Sequence, residues 1–98
     1  MKESKFQRDL IKELEERFPG CIVMKNDATY IQGIPDLTIL YEDKWATLEC
    51  KKSKSASFRP NQKRYIDKMN EMSFSSAIYP ENREEVLNEL QHAFRTRG

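Results

Sequence analysis

Hydrophobic positions along the chain follow two rhythms, one helical and one alternating. From about Ser4 to Phe18, the residues Phe6, Leu10, Ile11, Leu14 and Phe18 fall at helical spacing, and Pro19-Gly20 stops the pattern. Cys21-Ile22-Val23-Met24 is a short β-rich run. Asn26 to Thr29 then reads as a loop, and Gly33-Ile34-Pro35 as an irregular entry into the next strand. Asp36 to Tyr41 reads as a strand, Glu42-Asp43 as a turn, and Lys44 to Lys51 as the hairpin partner. Lys52 to Phe58 is a polar, Ser-rich loop. Pro60 suits the first position of a second helix, which carries Tyr65, Ile66, Met69 and Met72 along one face. Phe74 to Tyr79 is a fourth strand. Pro80 opens a last helix striped by Val86, Leu87, Leu90, Ala93 and Phe94. The order α-β-β-β-α-β-α predicts an α/β fold. Three sequential strands and a helical crossover to a fourth give a mixed four-stranded sheet flanked by helices, with an extra C-terminal helix.

The hairpin carries the first chemical signal. If it is symmetric about Glu42-Asp43, Asp36 stands directly opposite Glu49, with Cβ atoms roughly 5 Å apart on one face. Lys51 returns to that face by the period of two. Leu37, Ile39, Tyr41, Leu48 and Cys50 then form the apolar face. Two opposed carboxylates repel, and the pair makes sense around a divalent cation; a surface hairpin with outward charges is the plainer alternative. Glu3 lies a turn before the core stripe of the first helix, where its acid faces either the sheet or solvent. Gln62 shares a face with Tyr65, Ile66 and Met69, which points its amide inward.

Composition narrows the class. Ninety-eight residues with 38% hydrophobic and 34% charged content fit one small folded domain across 1–98. No apolar run is long enough to span a bilayer, and Met1 to Lys5 lacks a signal-peptide stretch, so a cytoplasmic location and no membrane partner are expected. Cys21 and Cys50 form neither a disulfide framework nor a zinc spacing, and are expected to be small buried hydrophobes. The net charge is only +1. Its distribution is uneven: Lys51, Lys52, Lys54, Arg59, Lys63, Arg64 and Lys68 face a single acid, Asp67, within one stretch. That stretch is either a phosphate-binding face or a solvated surface. His92, isolated on the last helix, is expected at the surface.

These residues together resemble a known family. Gly33-Ile34-Pro35-Asp36 followed by Glu49-Cys50-Lys51 is similar to the signature of the PD-(D/E)XK nuclease superfamily, whose restriction-endonuclease-like core has the order αβββαβ. Glu3…Phe6-Gln7 and Pro60-Asn61-Gln62…Tyr65 resemble the VRR-NUC branch in its short stand-alone form, found in phages and prophages. The likeness runs from Glu3 to the last helix. It implies phosphodiester hydrolysis with Mg²⁺ or Mn²⁺, leaving a 5′-phosphate and a 3′-hydroxyl. By the same resemblance Asp36, Glu49 and the backbone carbonyl of Cys50 hold the metal, and Glu3 reaches it through water. Lys51 is the catalytic lysine, Gln62 orients that lysine or the phosphate, and Gly33 permits a tight turn ahead of Asp36. Similarity to Holliday-junction resolvases implies a homodimer on branched DNA, acting in the host cytoplasm if phage-encoded. Lys52, Lys54, Arg59, Lys63 and Arg64 are the expected DNA contacts. Arg59 departs from the small hydroxyl residue common at its position and is a poorer helix cap.

Two other classes compete. A non-catalytic DNA-binding or protein-interaction module on the same fold would show stoichiometric binding without turnover. An unrelated α/β regulatory or toxin–antitoxin partner would show no dependence on divalent metal.

Overall fold

The computed structural model describes residues 2–96. Its elements follow the predicted order: α1 Glu3–Arg17, β1 Ile22–Lys25, β2 Leu37–Tyr41, β3 Lys44–Cys50, α2 Gln62–Met72, β4 Phe74–Ile78 and α3 Arg83–Thr96. The strands make one mixed sheet in the order β1-β2-β3-β4, antiparallel except for the β3–β4 pair. Helix α2 is the crossover that makes that last pairing parallel, since a tight turn cannot.

The sheet's two faces differ in chemistry because side chains alternate along each strand. On one face Leu37, Ile39, Ala46, Leu48, Cys50 and Ile78 are fully buried against Phe6, Leu10 and Leu14 of α1 and Leu87 and Leu90 of α3. The rings of Phe18, Tyr41 and Phe94 meet at the edge of this core, with centroids 5.1 to 5.5 Å apart. Arg83 of α3 donates to Glu13 of α1, and Arg17 of α1 donates to Glu84 and Asn88 of α3, tying the two helices together.

The other face is polar and also covered. Thr47 donates to Ser75 Oγ at 2.7 Å and lies against the Met69 sulphur of α2, and Ser73 Oγ donates to the Trp45 carbonyl. In place of a plain surface hairpin with outward charges, the chain has a polar face that α2 buries: Thr47 and Glu49 are each only 2% exposed.

Five expectations are corrected. Helix α2 starts at Gln62, not Pro60, because Arg59 to Gln62 forms a turn closed by the Gln62 N–H on the Arg59 carbonyl. Asn61 is the N-cap residue, in the left-handed region at φ 71° and with no side-chain cap, so Arg59 is not asked to cap the helix. Met72 is 64% exposed, so the inward stripe of α2 ends at Met69. Pro80 opens a 3₁₀ turn over Pro80–Asn82 rather than α3 itself. Of the two cysteines, Cys50 is buried and Cys21 only half-buried. No helix among the described residues is long and apolar enough to cross a membrane.

Candidate functional site

The hairpin register is the predicted one. Leu37 pairs with Leu48 and Tyr41 with Lys44, which sets Asp36 against the Glu49–Cys50 end of β3. Asp36 lies just before β2, where its carboxylate Oδ2 accepts the Cys50 N–H at 2.9 Å. The chain ahead of it is held by Asn26. The Asn26 N–H donates to the Asp36 carbonyl at 2.8 Å, and its side-chain amide donates to the Pro35 carbonyl and to Thr38 Oγ1. Asn26 thus grips the residues on both sides of Asp36. Sequence pattern places Asn26 in a loop and gives it no role; the available signal was an amide at the end of a strand that pairs with the Gly-x-Pro-Asp turn.

Gly33 has a role beyond a tight turn. At φ +91° it adopts a backbone that side chains disfavour, and an added Cβ would stand 2.6 Å from Asn61 Cβ and 2.9 Å from the Pro60 carbonyl oxygen. The loop before β2 packs directly on the turn that begins α2.

Glu3, Asp36 and Glu49 converge, each offering a carboxylate oxygen within 4.8 Å of the others. Glu3 comes from the first turn of α1 and is exposed, while Asp36 is half-buried and Glu49 buried. Burial raises the Asp36 carboxyl, with the Cys50 N–H and the Lys51 charge acting against it. Glu49 is pushed up to about 7, first by burial and then by the charge of Asp36; Lys51 pulls it back and Glu3 adds to the rise. Glu49 Oε1 has no hydrogen-bond partner among the described residues although it is buried. A bare carboxylate oxygen inside a protein costs free energy, and such atoms are uncommon.

The other oxygen of Glu49 is tied into a chain. Gln62 Nε2 donates to Glu49 Oε2 at 2.9 Å, and Gln62 Oε1 accepts from Lys51 Nζ at 2.6 Å and from the Arg59 N–H at 2.7 Å. The predicted inward amide of Gln62 is present and bridges the acid to the lysine. Lys51 is 6% exposed. Its Nζ also donates to the Ser57 carbonyl at 3.1 Å, lies 3.8 Å from Glu49 Oε2 and sits 4.9 Å from the centre of the Phe58 ring. An ammonium has three donors. Gln62 and Ser57 take two, and no hydrogen bond among the described residues takes the third.

Cys50 faces the apolar core, and burial pushes its thiol far up. Only its backbone carbonyl is left to serve as a ligand, the role the family resemblance gives it.

A cleft of about 810 Å³ opens over these groups, lined by Glu3, Asp36, Glu49, Lys51, Lys52 and Arg59 among others. Of the five predicted DNA contacts, Lys52 and Arg59 line it. Lys54, Lys63 and Arg64 are exposed outside the lining: Lys63 lies 3.8 Å from Asp67, and the Arg64 guanidinium lies over the Tyr65 ring. His92 is exposed on α3, away from the cleft lining.

The three carboxylates suit a small hard cation. Oxygens sharing one octahedral Mg²⁺ lie at most about 4.2 Å apart, twice the usual bond length. A 4.8 Å cluster fits if its exposed member, Glu3, acts through a water. A cation at this cluster would also give the bare, buried Glu49 Oε1 a partner. Comparison of the chain with family models, with curated proteins and with solved structures gives no match.

Proposed function

We propose that this chain is a Mg²⁺- or Mn²⁺-dependent endodeoxyribonuclease of the PD-(D/E)XK superfamily, close to the stand-alone VRR-NUC type. On this reading its fold is restriction-endonuclease-like, and a homodimer cuts branched DNA by presenting two clefts to two strands. One observation carries the proposal: the buried Glu49 Oε1, without a partner among the described residues, lies in a three-acid cluster beside a lysine that Gln62 holds by a hydrogen bond.

Asp36, Glu49 and the Cys50 carbonyl would hold the cation, with Glu3 assisting. When bound there, it supplies Lewis-acid polarisation of the phosphate and acidifies water. The chain's own groups do the rest. Lys51 directs its remaining N–H at a phosphate oxygen or the attacking water and offsets developing negative charge. Gln62 fixes Lys51 against Glu49, and Lys52 and Arg59 place the phosphate backbone across the cleft.

The test is cleavage of a four-way junction, a linear duplex and a single strand, each with Mg²⁺, with Mn²⁺ and with EDTA. Asp36→Ala controls for contaminating nuclease. Metal-dependent cutting that Asp36→Ala lacks is the expected result, and faster cutting of the junction supports the branched-DNA reading. Folded protein that binds DNA but cuts nothing would make it a binding module on this fold.

A further inference from the structure

Phe58 is a large apolar side chain in an otherwise polar loop, and it is 45% exposed. It is not a loose ornament of that loop. The residue before it, Ser57, gives its carbonyl to Lys51 Nζ, and the residue after it, Arg59, gives its N–H to Gln62 Oε1. The backbone on both sides of Phe58 is therefore clamped to the Lys51–Gln62 pair. The centre of the ring lies 4.9 Å from Lys51 Nζ; Phe58 is itself outside the cleft lining, but Lys51, Ser57 and Arg59 beside it all line the cleft. The ring is left half-exposed next to the Lys51 ammonium instead of being taken into the interior.

We propose that Phe58 is a base-stacking residue, so that the cleft accepts DNA whose base next to the contacted phosphate is unstacked. This rests on reading the cleft as a DNA site. Bases in an intact duplex present no free π-face, whereas those in single strands, flaps and junction crossovers do. The Lys51 ammonium and the Phe58 ring are close enough for the phosphate and the stacked base to belong to the same or adjacent nucleotides. The aromatic contact tolerates any base, since every base has a π-face. The resulting selectivity is for structure and not for sequence, and it resides in each subunit alone.

The probe is 2-aminopurine, whose fluorescence falls on stacking, placed at successive positions along a single-stranded oligonucleotide. It is titrated in EDTA with the wild type and with Phe58→Ala, Phe58→Leu and Phe58→Tyr. Wild type should quench the probe, and Phe58→Tyr should keep the quench. Phe58→Ala and Phe58→Leu should lose it, with single-strand affinity lowered roughly 5- to 150-fold, the usual range for one base–aromatic contact. Leucine still covers Lys51, so a loss in Phe58→Leu separates stacking from simple packing. No quench by the wild type, or an equal quench by Phe58→Leu, overturns the inference. The same proteins are then assayed for cleavage with Mg²⁺ and Mn²⁺. Phe58-dependent quenching without cutting by any of them would remove the nuclease reading and leave the stacking site. Cutting without quenching would do the reverse.

Discussion

Replacing Glu49 by Gln should stabilise the protein when no metal is present. The Glu49 carboxyl is 2% exposed and raised to about 7, against an ordinary value of 4.5. An acid with a raised folded value binds more protons folded than unfolded between those two limits. Its contribution therefore falls as pH rises through that window, and the full penalty applies above about 7. A tenfold change in an acid's ionisation constant on folding corresponds to about 1.4 kcal/mol, so the ionised form costs about 3 kcal/mol at pH 8 and under about 1 kcal/mol at pH 5. The favourable pull of Lys51 is already contained in the raised value. Glutamine keeps an oxygen for the Gln62 amide and has no charge to desolvate. In EDTA at pH 8, Glu49→Gln should exceed the wild type by about 3 kcal/mol, a rise in Tm on the order of 10 °C for a chain of this size. At pH 5 the two should nearly coincide. Added Mg²⁺ or Mn²⁺ should stabilise the wild type by mass action and leave Glu49→Gln unmoved. Urea unfolding at both pH values, with and without metal, reads all of this. A Glu49→Gln protein no more stable than wild type at pH 8 in EDTA would refute the reasoning.

Four further outcomes are expected. Lys51→Met should abolish cleavage while calorimetry shows metal binding within a few-fold of wild type; equal cleavage rates would exclude Lys51 from the reaction. Gln62→Ala strands a buried donor and acceptor, so it should cost roughly 1–3 kcal/mol in unfolding experiments and lower kcat more than it raises KM. Gly33→Ala must move Asn61 and hold alanine at positive φ; a loss of about 2 kcal/mol or more is expected, read from the urea midpoint. Lys52→Glu or Arg59→Glu, at the cleft, should weaken DNA binding and flatten its salt dependence more than Lys63→Glu or Arg64→Glu, whose side chains lie outside the lining.

The sheet and its site are legible in the sequence to different depths. The hairpin register follows from a two-residue turn and the alternation of Leu37, Ile39 and Leu48, because a slip of one residue would expose the whole apolar set. That register alone brings Asp36 to Glu49 and Lys51. Local pattern misplaces the start of α2 because Pro60 is a strong signal for a first helical turn. A tertiary requirement overrides it: the turn from Arg59 to Gln62 has to meet Gly33. The polar face looks open to solvent in the sequence, since Thr47, Glu49 and Lys51 are residue types of the surface. Their burial under α2 depends on a crossover that local pattern does not place. The contacts of Asn26 with Pro35, Asp36 and Thr38, the Ser57 carbonyl on Lys51 and the exposure of Phe58 depend on tertiary placement, which residue type does not reveal.

The acid cluster draws Glu3 from the first helical turn and Glu49 from the middle of the chain. Nearly half the sequence separates them, and the helix and strand that carry them do not form a local motif. The site therefore does not exist in any early fragment of the folding chain. Contacts between distant segments form late because loop closure has to come first. A cation bound at this cluster would not template the domain as zinc templates a finger; it would hold only what has already folded. Metal should accordingly slow unfolding and leave the folding rate nearly unchanged, so the ion would act on the lifetime of the native state and not on the route to it.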